Sequence, residues 1–293
     1  MRSKLVSLED AAALVPSGSG LTLSGSILPL QPMAFIYALL RRHTRDLSVT
    51  LFVGGNGIDL LVGAGAVRRL ETAYAGLGPF GAALNIKRAV ETGRLDLEDM
   101  SESALMARFK AAGSGVPFLP TKALLGTRMA ERSKNLVEMR CPFTGEPVHL
   151  ARAVDTEFTV IHAHAGDVYG NIQHPLDRNT DECHLMLAKA ARTLIVTVER
   201  IIPTEAVMQH PTLTWIPHHW VTAVVEAPYG AHPGSVDGLY CEDERHLRVY
   251  AEASRSQEGF QAYLEEYVYG VGDHWGYLNK IGGLAHLSQL KPV

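Results

Sequence analysis

The sequence predicts an α/β protein built on an open, mainly parallel sheet flanked by helices and followed by a C-terminal helical tail. Apolar runs alternate with helical patterns in the opening segment and again after residue 157. From about Glu242 onward only amphipathic helical patterns remain. At 293 residues the chain is long enough to bury a substantial core.

Leu5, Leu8, Ala12 and Val15 recur at helical spacing around Ser7, and Pro-Ser-Gly-Ser-Gly then breaks the pattern. "LTLSG" (21–25) reads as a strand. A loop with Pro29 and Pro32 follows, then a helix whose apolar face runs through Phe35, Ala38 and Leu39. "DLSVTLFVGG" (46–55) is the next strand, so the opening is α-β-α-β. Further on, Ser101 is a good N-cap for a helix that carries Leu105, Phe109 and Ala112 as its buried stripe and stops at Gly113. Glu102 falls in its first turn, on the side expected to face inward. Residues 157–167 read as a strand, 180–191 as a helix, and 192–201 and 220–228 as two more strands. In the tail, 242–293, Tyr263, Tyr267 and Val268 face inward and Gly282 and Gly283 form a stop. The polar, proline-interrupted stretch 131–150 is a soft boundary within a single domain covering 1–293.

Composition excludes several classes of function. The 27 Lys and Arg against 31 Asp and Glu give a net charge of −4, with no basic run to track a phosphate backbone, so no nucleic acid is expected. Cys141, Cys183 and Cys241 are odd in number and lack a CxxC spacing, which speaks against a disulfide framework or a structural zinc and fits a reducing cytoplasm. Glu9 and Asp10 interrupt any signal-peptide core, and no apolar run is long enough to span a membrane.

Glycines cluster in "SGSGLTLSGS", "VGGNG" and "AGLGPFG", where backbone amides could approach an anion. None spells a dinucleotide fingerprint, and tight βα turns are their ordinary explanation. His162 and His164 lie two apart on a strand, with Asp167 following. Such a pair can bind zinc, but no third and fourth ligand stand at a recognisable spacing, so histidines hydrogen-bonded at a strand end and no metal are expected. His218 and His219 follow Pro217 in a loop. "SGSGL" and "AGSGV" only partly match a nucleophile elbow. By spacing alone, Glu102 is a carboxylate that complements a helix dipole.

Several segments together resemble the α subunit of class I coenzyme A transferases, nearest to the glutaconate type: "SGSGLTLSGSILPLQPMAFIYALL", "GGNGIDLLVGAGAVRRL", "ALMARFKAAGSGVPFLPT", "IHAHAGDVYGNIQ", "VTAVVEAPYGAHPG", and the tail through "YLNKIGG". Ser24, Gly25 and Ser26 stand where the family carries Gly-Gly-Phe, and Thr222 stands for an acid. The resemblance implies an open α/β fold and an α/β heteromer, commonly α2β2, with its active site between subunits. It also implies ping-pong transfer of CoA, carried as a thioester substrate with no separate cofactor, through a glutamyl-CoA intermediate. The nucleophilic glutamate belongs to the β subunit in that family, in a Ser-Glu-Asn-Gly motif that this sequence does not contain. On the same grounds Ser24, Gly25 and Ser26 would approach the thioester, Gly54, Gly55 and Asn56 would line the second loop, and Gly230, Ala231 and His232 would follow a strand at the ligand-binding edge. For His232, a turn role between Pro228 and Pro233 stands beside the functional one.

The resemblance also recasts Glu102, because a glutamate there is characteristic of relatives that hydrolyse acyl-CoA rather than transfer CoA. The expected function is the α subunit of a CoA-transferase for a short dicarboxylic acyl-CoA. The alternatives are acyl-CoA hydrolysis with ring opening, decarboxylation of a methylglutaconyl-CoA, or a non-catalytic ligand-sensing domain of the same broad fold.

Overall fold

A computed structural model describes residues 2–175 and 181–292. In chain order the first half runs α1 (Leu8–Ala13), β1 (Gly20–Leu23), α2 (Met33–Arg41), β2 (Leu47–Gly54), α3 (Asn56–Gly63), β3 (Val67–Ala75), α4 (Leu84–Glu91), β4 (Asp96–Asp99), α5 (Glu102–Gly113), β5 (Phe118–Thr121), α6 (Arg128–Arg132), β6 (Leu136–Arg140) and β7 (Pro147–Arg152). The second half continues with β8 (Phe158–Gly166), β9 (Ile172–Gln173), α7 (Asp181–Ala190), β10 (Thr193–Ile201), α8 (Thr204–Gln209), β11 (Thr214–Ile216) and β12 (Val221–Glu226). The tail holds α9 (Glu244–Ala253), α10 (Gln257–Leu264), α11 (His274–Lys280) and α12 (Gly283–Leu287). Thr180, the first residue of the expected 180–191 helix, lies outside the described residues.

Seven strands pair in parallel in the order β4-β3-β2-β1-β8-β10-β12. β9 and β11 add an antiparallel ribbon at the end of β8. Neighbouring residues on the central strands feed separate apolar clusters, as side-chain alternation demands: Val160 and Ile195 join the cluster with α2, α3 and the tail, whereas Ile161, Leu194 and Val196 join the one with α5 and α7. The strands are therefore buried on both faces, which is why they read as nearly continuous apolar runs. Each such Ile or Leu contributes about 1.5–3 kcal/mol by leaving water. α2 lies between the sheet and the tail and is buried from Met33 through Leu40.

Several expectations change. Leu5 is not in the first helix; it bridges to Val224, and the Val6 N–H donates to the Val224 carbonyl at 3.0 Å, so the chain start pairs with β12 before α1 begins. On α5 the buried set is Ala104, Leu105, Arg108, Phe109 and Ala111, with Ala112 only half-buried. Arg108 is an inward cation because it forms an ion pair with the buried Glu71 of β3, and its Nε donates to the Arg152 carbonyl at 2.9 Å. Glu102 faces outward rather than inward and is exposed. The stretch 131–150, the soft boundary expected from the sequence, holds the end of α6, β6 and the first residues of β7, and β6 and β7 join β5 in a three-stranded antiparallel sheet laid against α5. Among the described residues no helix is long and apolar enough to cross a membrane.

Candidate functional site

The parallel sheet winds away from its centre in two directions, β1 to β4 on one side and β8 to β12 on the other. The reversal between β1 and β8 opens a crevice beyond their carboxyl ends, where open α/β sheets bind ligands. Ser24, the first residue after β1, sits on that line. Its N–H donates to the Val160 carbonyl at 2.9 Å, its Oγ accepts the His162 N–H at 3.0 Å, and its hydroxyl donates to the Leu30 carbonyl at 3.1 Å. It thus fastens the loop 24–32 over the two diverging strands.

That loop is packed onto the next two. Gln31 Nε2 donates to the Ile27 carbonyl at 2.6 Å and to Asn56 Oδ1 at 3.2 Å, while its Oε1 accepts the Gly57 N–H at 3.1 Å. A side chain at Gly55 would place Cβ 1.7 Å from the Ile27 carbonyl oxygen, so these two turns approach only through glycine. Gly25 has φ +93°, and a Cβ there would meet the backbone of Pro29, Leu30 and Gln31 at 2.7 Å. On the other side, the Ala34 N–H donates to the Gly230 carbonyl and the Leu30 N–H to the Ser235 carbonyl, both at 2.9 Å. The structure therefore brings together Ser24, Gly25, Ser26, Gly54, Gly55, Asn56, Gly230, Ala231 and His232 at one edge. All but Gly25 and Ser26 are buried in this chain and form the floor beneath the loop.

Beneath the 227–235 loop lies a residue that sequence reasoning missed. Glu199, near the end of β10, accepts hydrogen bonds from His162 Nε2 (2.7 Å), the Tyr240 hydroxyl (2.6 Å), the Tyr229 N–H (2.7 Å) and the Gly230 N–H (3.1 Å). Burial opposes its ionisation, yet these donors, His162 first, together bring its pKa below the usual carboxylate value. Burial, and then the Glu199 carboxylate, push the Tyr240 hydroxyl well above its ordinary value. The one available signal is a glutamate closing the apolar run "TLIVTVER", which looks like an ordinary strand end. The His162–His164 pair is hydrogen-bonded as expected. His162 Nδ1 meets Thr197 Oγ1 at 2.8 Å and His164 Nε2 meets the Asp237 carbonyl at 2.8 Å. Asp167 accepts the Tyr169 and Asn171 N–H groups and shapes the turn after β8. Beside it a cavity of about 370 Å³ is lined by His164, Gln173, His174, Arg200 and Asp237.

Glu102 stands apart from this floor. It follows β4, three strands from β1 in the sheet order, on a helix that packs back across β3 and β2. Ser101 caps α5 as expected, its Oγ accepting the Ala104 N–H at 3.2 Å. The Glu102 carboxylate makes no hydrogen bond or ion pair among the described residues and projects at the helix N-terminus, where negative charge is favoured.

With this geometry in place, the Coenzyme A transferase family pattern matches residues 5–227. The chain belongs to the coenzyme A transferase family. It is 33% identical to the A-type subunit of glutaconate CoA-transferase from Acidaminococcus fermentans, over 99% of this chain and 95% of that one. The crystal structure of that organism's glutaconate coenzyme A-transferase superposes with a TM-score of 0.95 at 31% identity, covering 99% of this chain and 96% of the other. An uncharacterized protein of Archaeoglobus fulgidus is 36% identical over the whole of this chain, which spans 65% of its length. The cholesterol ring-cleaving hydrolase IpdA subunit of Mycobacterium tuberculosis is 31% identical over 92% of this chain and 95% of its own. The decarboxylase AibA/AibB gives a TM-score of 0.79 at 30% identity over 90% and 99% of the two chains. The transferase-family chain thus shares its layout with transferases, a hydrolase and a decarboxylase, so the fold alone does not choose the reaction.

Proposed function

We propose that the chain is the α-type subunit of a heteromeric CoA-transferase acting on a short dicarboxylic acyl-CoA of the glutaconate kind. The observation that carries this reading is the full-length superposition on glutaconate coenzyme A-transferase, tail included. In the proposed cycle a glutamate of the β-type partner attacks the acyl thioester, the C–S bond breaks and CoA leaves as thiolate. The thiolate then attacks the acyl-glutamyl anhydride, releasing the acid and leaving glutamyl-CoA, and an acceptor carboxylate reverses these steps. This chain contributes the floor of Ser24, Gly54, Gly55, Asn56, Gly230, Ala231 and His232. Gly25 and Ser26 are its half-buried edge toward the thioester; the Ser26 N–H is spent on the Pro29 carbonyl at 2.9 Å, so it is the Gly25 amide that would stabilise the oxyanion. CoA enters as substrate and no separate cofactor is needed. An α2β2 assembly in the cytoplasm completes the proposal.

A second reading rests on Glu102. An exposed carboxylate with no partner in its own chain, at the same carboxyl edge of the sheet, is placed to act as a base toward water in a site closed by another subunit. The relationship to the IpdA hydrolase favours it. The two readings separate when the chain is co-expressed with its β-type partner and the complex is assayed on glutaconyl-CoA with and without acetate. Acetyl-CoA formed only with acetate supports transfer, whereas free CoA thiol released equally without acceptor rules transfer out in favour of hydrolysis.

A further inference from the structure

A second polar cluster joins the loop after β12 to the tail. His232 comes from that loop, Asp243 is the N-cap of α9, and His286 lies on α12. His232 Nε2 stands 3.0 Å and His286 Nε2 2.5 Å from the same oxygen, Asp243 Oδ2. All three atoms lie within 4.8 Å of one another. Two imidazole nitrogens converging on one carboxylate oxygen form a ligand set of two histidines and an acid, of the kind that holds zinc-class divalent ions.

The surroundings have the features such a set needs. His232 and Asp243 are buried, with side-chain exposures of 0% and 3%, while His286 keeps 16%, which leaves one open side for entry and for a water ligand. Each inner ligand is oriented from behind: His232 Nδ1 meets the Tyr277 hydroxyl at 2.7 Å, and Asp243 Oδ1 accepts the His246 N–H at 3.0 Å. Ligand atoms about 2.0–2.1 Å from a tetrahedral ion are roughly 3.3 Å apart, so α12, a five-residue helix near the chain end, needs only a small outward shift. Donation to Asp243 uses the tautomer with hydrogen on Nε2, whereas binding a metal through Nε2 uses the tautomer with hydrogen on Nδ1, which for His232 faces the Tyr277 hydroxyl as an acceptor at 2.7 Å.

We propose that His232, Asp243 and His286 form a binding site for a zinc-class divalent metal ion that clamps the C-terminal helices onto the loop carrying Gly230 and Ala231. The ligands are separated by 11 and 43 residues, which explains why no spacing in the sequence announced them.

The test is a titration of the full chain, stripped with EDTA, with Co²⁺ read by its visible absorption and then displaced by Zn²⁺. One equivalent of cobalt in a low-symmetry nitrogen and oxygen environment is expected, with zinc raising the melting temperature. His286→Ala removes the half-buried, outermost ligand without opening the core and is expected to weaken binding roughly a hundredfold or more. Asp243→Asn is expected to do the same. The double variant His218→Ala/His219→Ala, a histidine pair at the opposite end of β12 from His232, is expected to bind as the parent does. Absence of stoichiometric cobalt in the parent, unchanged binding in His286→Ala, or loss of binding in the double variant would each overturn the assignment.

Discussion

The floor around Ser24 and Glu199 and the N-terminus of α5 lie on the same edge of one sheet and are built in opposite ways. On the floor, polar groups are spent internally: Glu199 alone accepts four hydrogen bonds, and Ser24 makes three. At the α5 N-terminus Ser101 caps the Ala104 N–H, while the Glu102 carboxylate is left uncommitted among the described residues. A group already satisfied within the fold can shape a site, because moving it would strand its partners. An uncommitted carboxylate at a helix N-terminus costs little to keep and is available to a substrate or another subunit. The first region should therefore answer mutation with stability, and the second with reaction chemistry.

The strongest way to break this comparison is at Glu199. Glu199→Ala leaves the Tyr229 and Gly230 N–H groups, the Tyr240 hydroxyl and His162 without their acceptor inside a buried loop junction. The expected loss is on the order of 3–5 kcal/mol in urea denaturation. A loss below about 1 kcal/mol would mean that water replaces the carboxylate easily and that the floor is not internally locked.

Acid provides the next test. The sign follows from two kinds of group. Glu199 has its folded pKa depressed below 4.5, so it contributes stability above that pH and loses it as the pH falls through its folded value. Burial lowers His164, His184 and His274 below 6.5, and His184 to about 3, its two ring nitrogens having no hydrogen-bond partner among the described residues. The unfolded chain therefore takes up protons first as the pH drops below 6.5, and stability declines. Both effects run the same way, with the histidines acting between pH 6.5 and 4.5 and Glu199 joining below. Melting temperatures at successive pH values from 7.5 to 4 should fall steadily, and a flat or rising profile between 7 and 5 would contradict the buried-neutral assignment.

A smaller effect belongs to Ser24→Ala, which leaves the Leu30 carbonyl and the buried His162 N–H short of a partner and should cost about 1–3 kcal/mol. Restoration of that stability by Ser24→Gly would show that the hydroxyl is dispensable once the loop regains backbone freedom.

How far the sequence reveals these regions follows from the range of the contacts. The βα rhythm, the Ser101 cap and the glycine turns depend on neighbours within a few residues, so local pattern exposes them. Glu199 depends on residues 30 to 41 positions away, and the pairing of Leu5 with Val224 spans most of the chain, so neither has a local signature. The orientation of Glu102 fails for a related reason. The inward side of α5 runs through Ala104, Arg108 and Ala111 as well as Leu105 and Phe109, so a stripe drawn through Leu105, Phe109 and Ala112 alone, without the buried Arg108 paired to Glu71, rotates the helix toward Glu102. The nine residues that the family resemblance singled out come together at the floor and its edge because each ends or follows a strand at the same edge.

The finest test is Glu102→Gln. It removes one charge from a helix N-terminus and nothing else within this chain, so the stability cost should not exceed about 0.3–1 kcal/mol. In the assembled enzyme the same change separates the readings of the site. If Glu102 only borders the acyl group, the amide keeps the shape and turnover stays within about twofold. If it activates water, glutamine cannot accept the proton, and hydrolysis should fall on the order of a hundredfold or more while substrate affinity is retained. A turnover loss matched by an equal loss of stability would instead tie Glu102 to the fold and erase the contrast with Glu199.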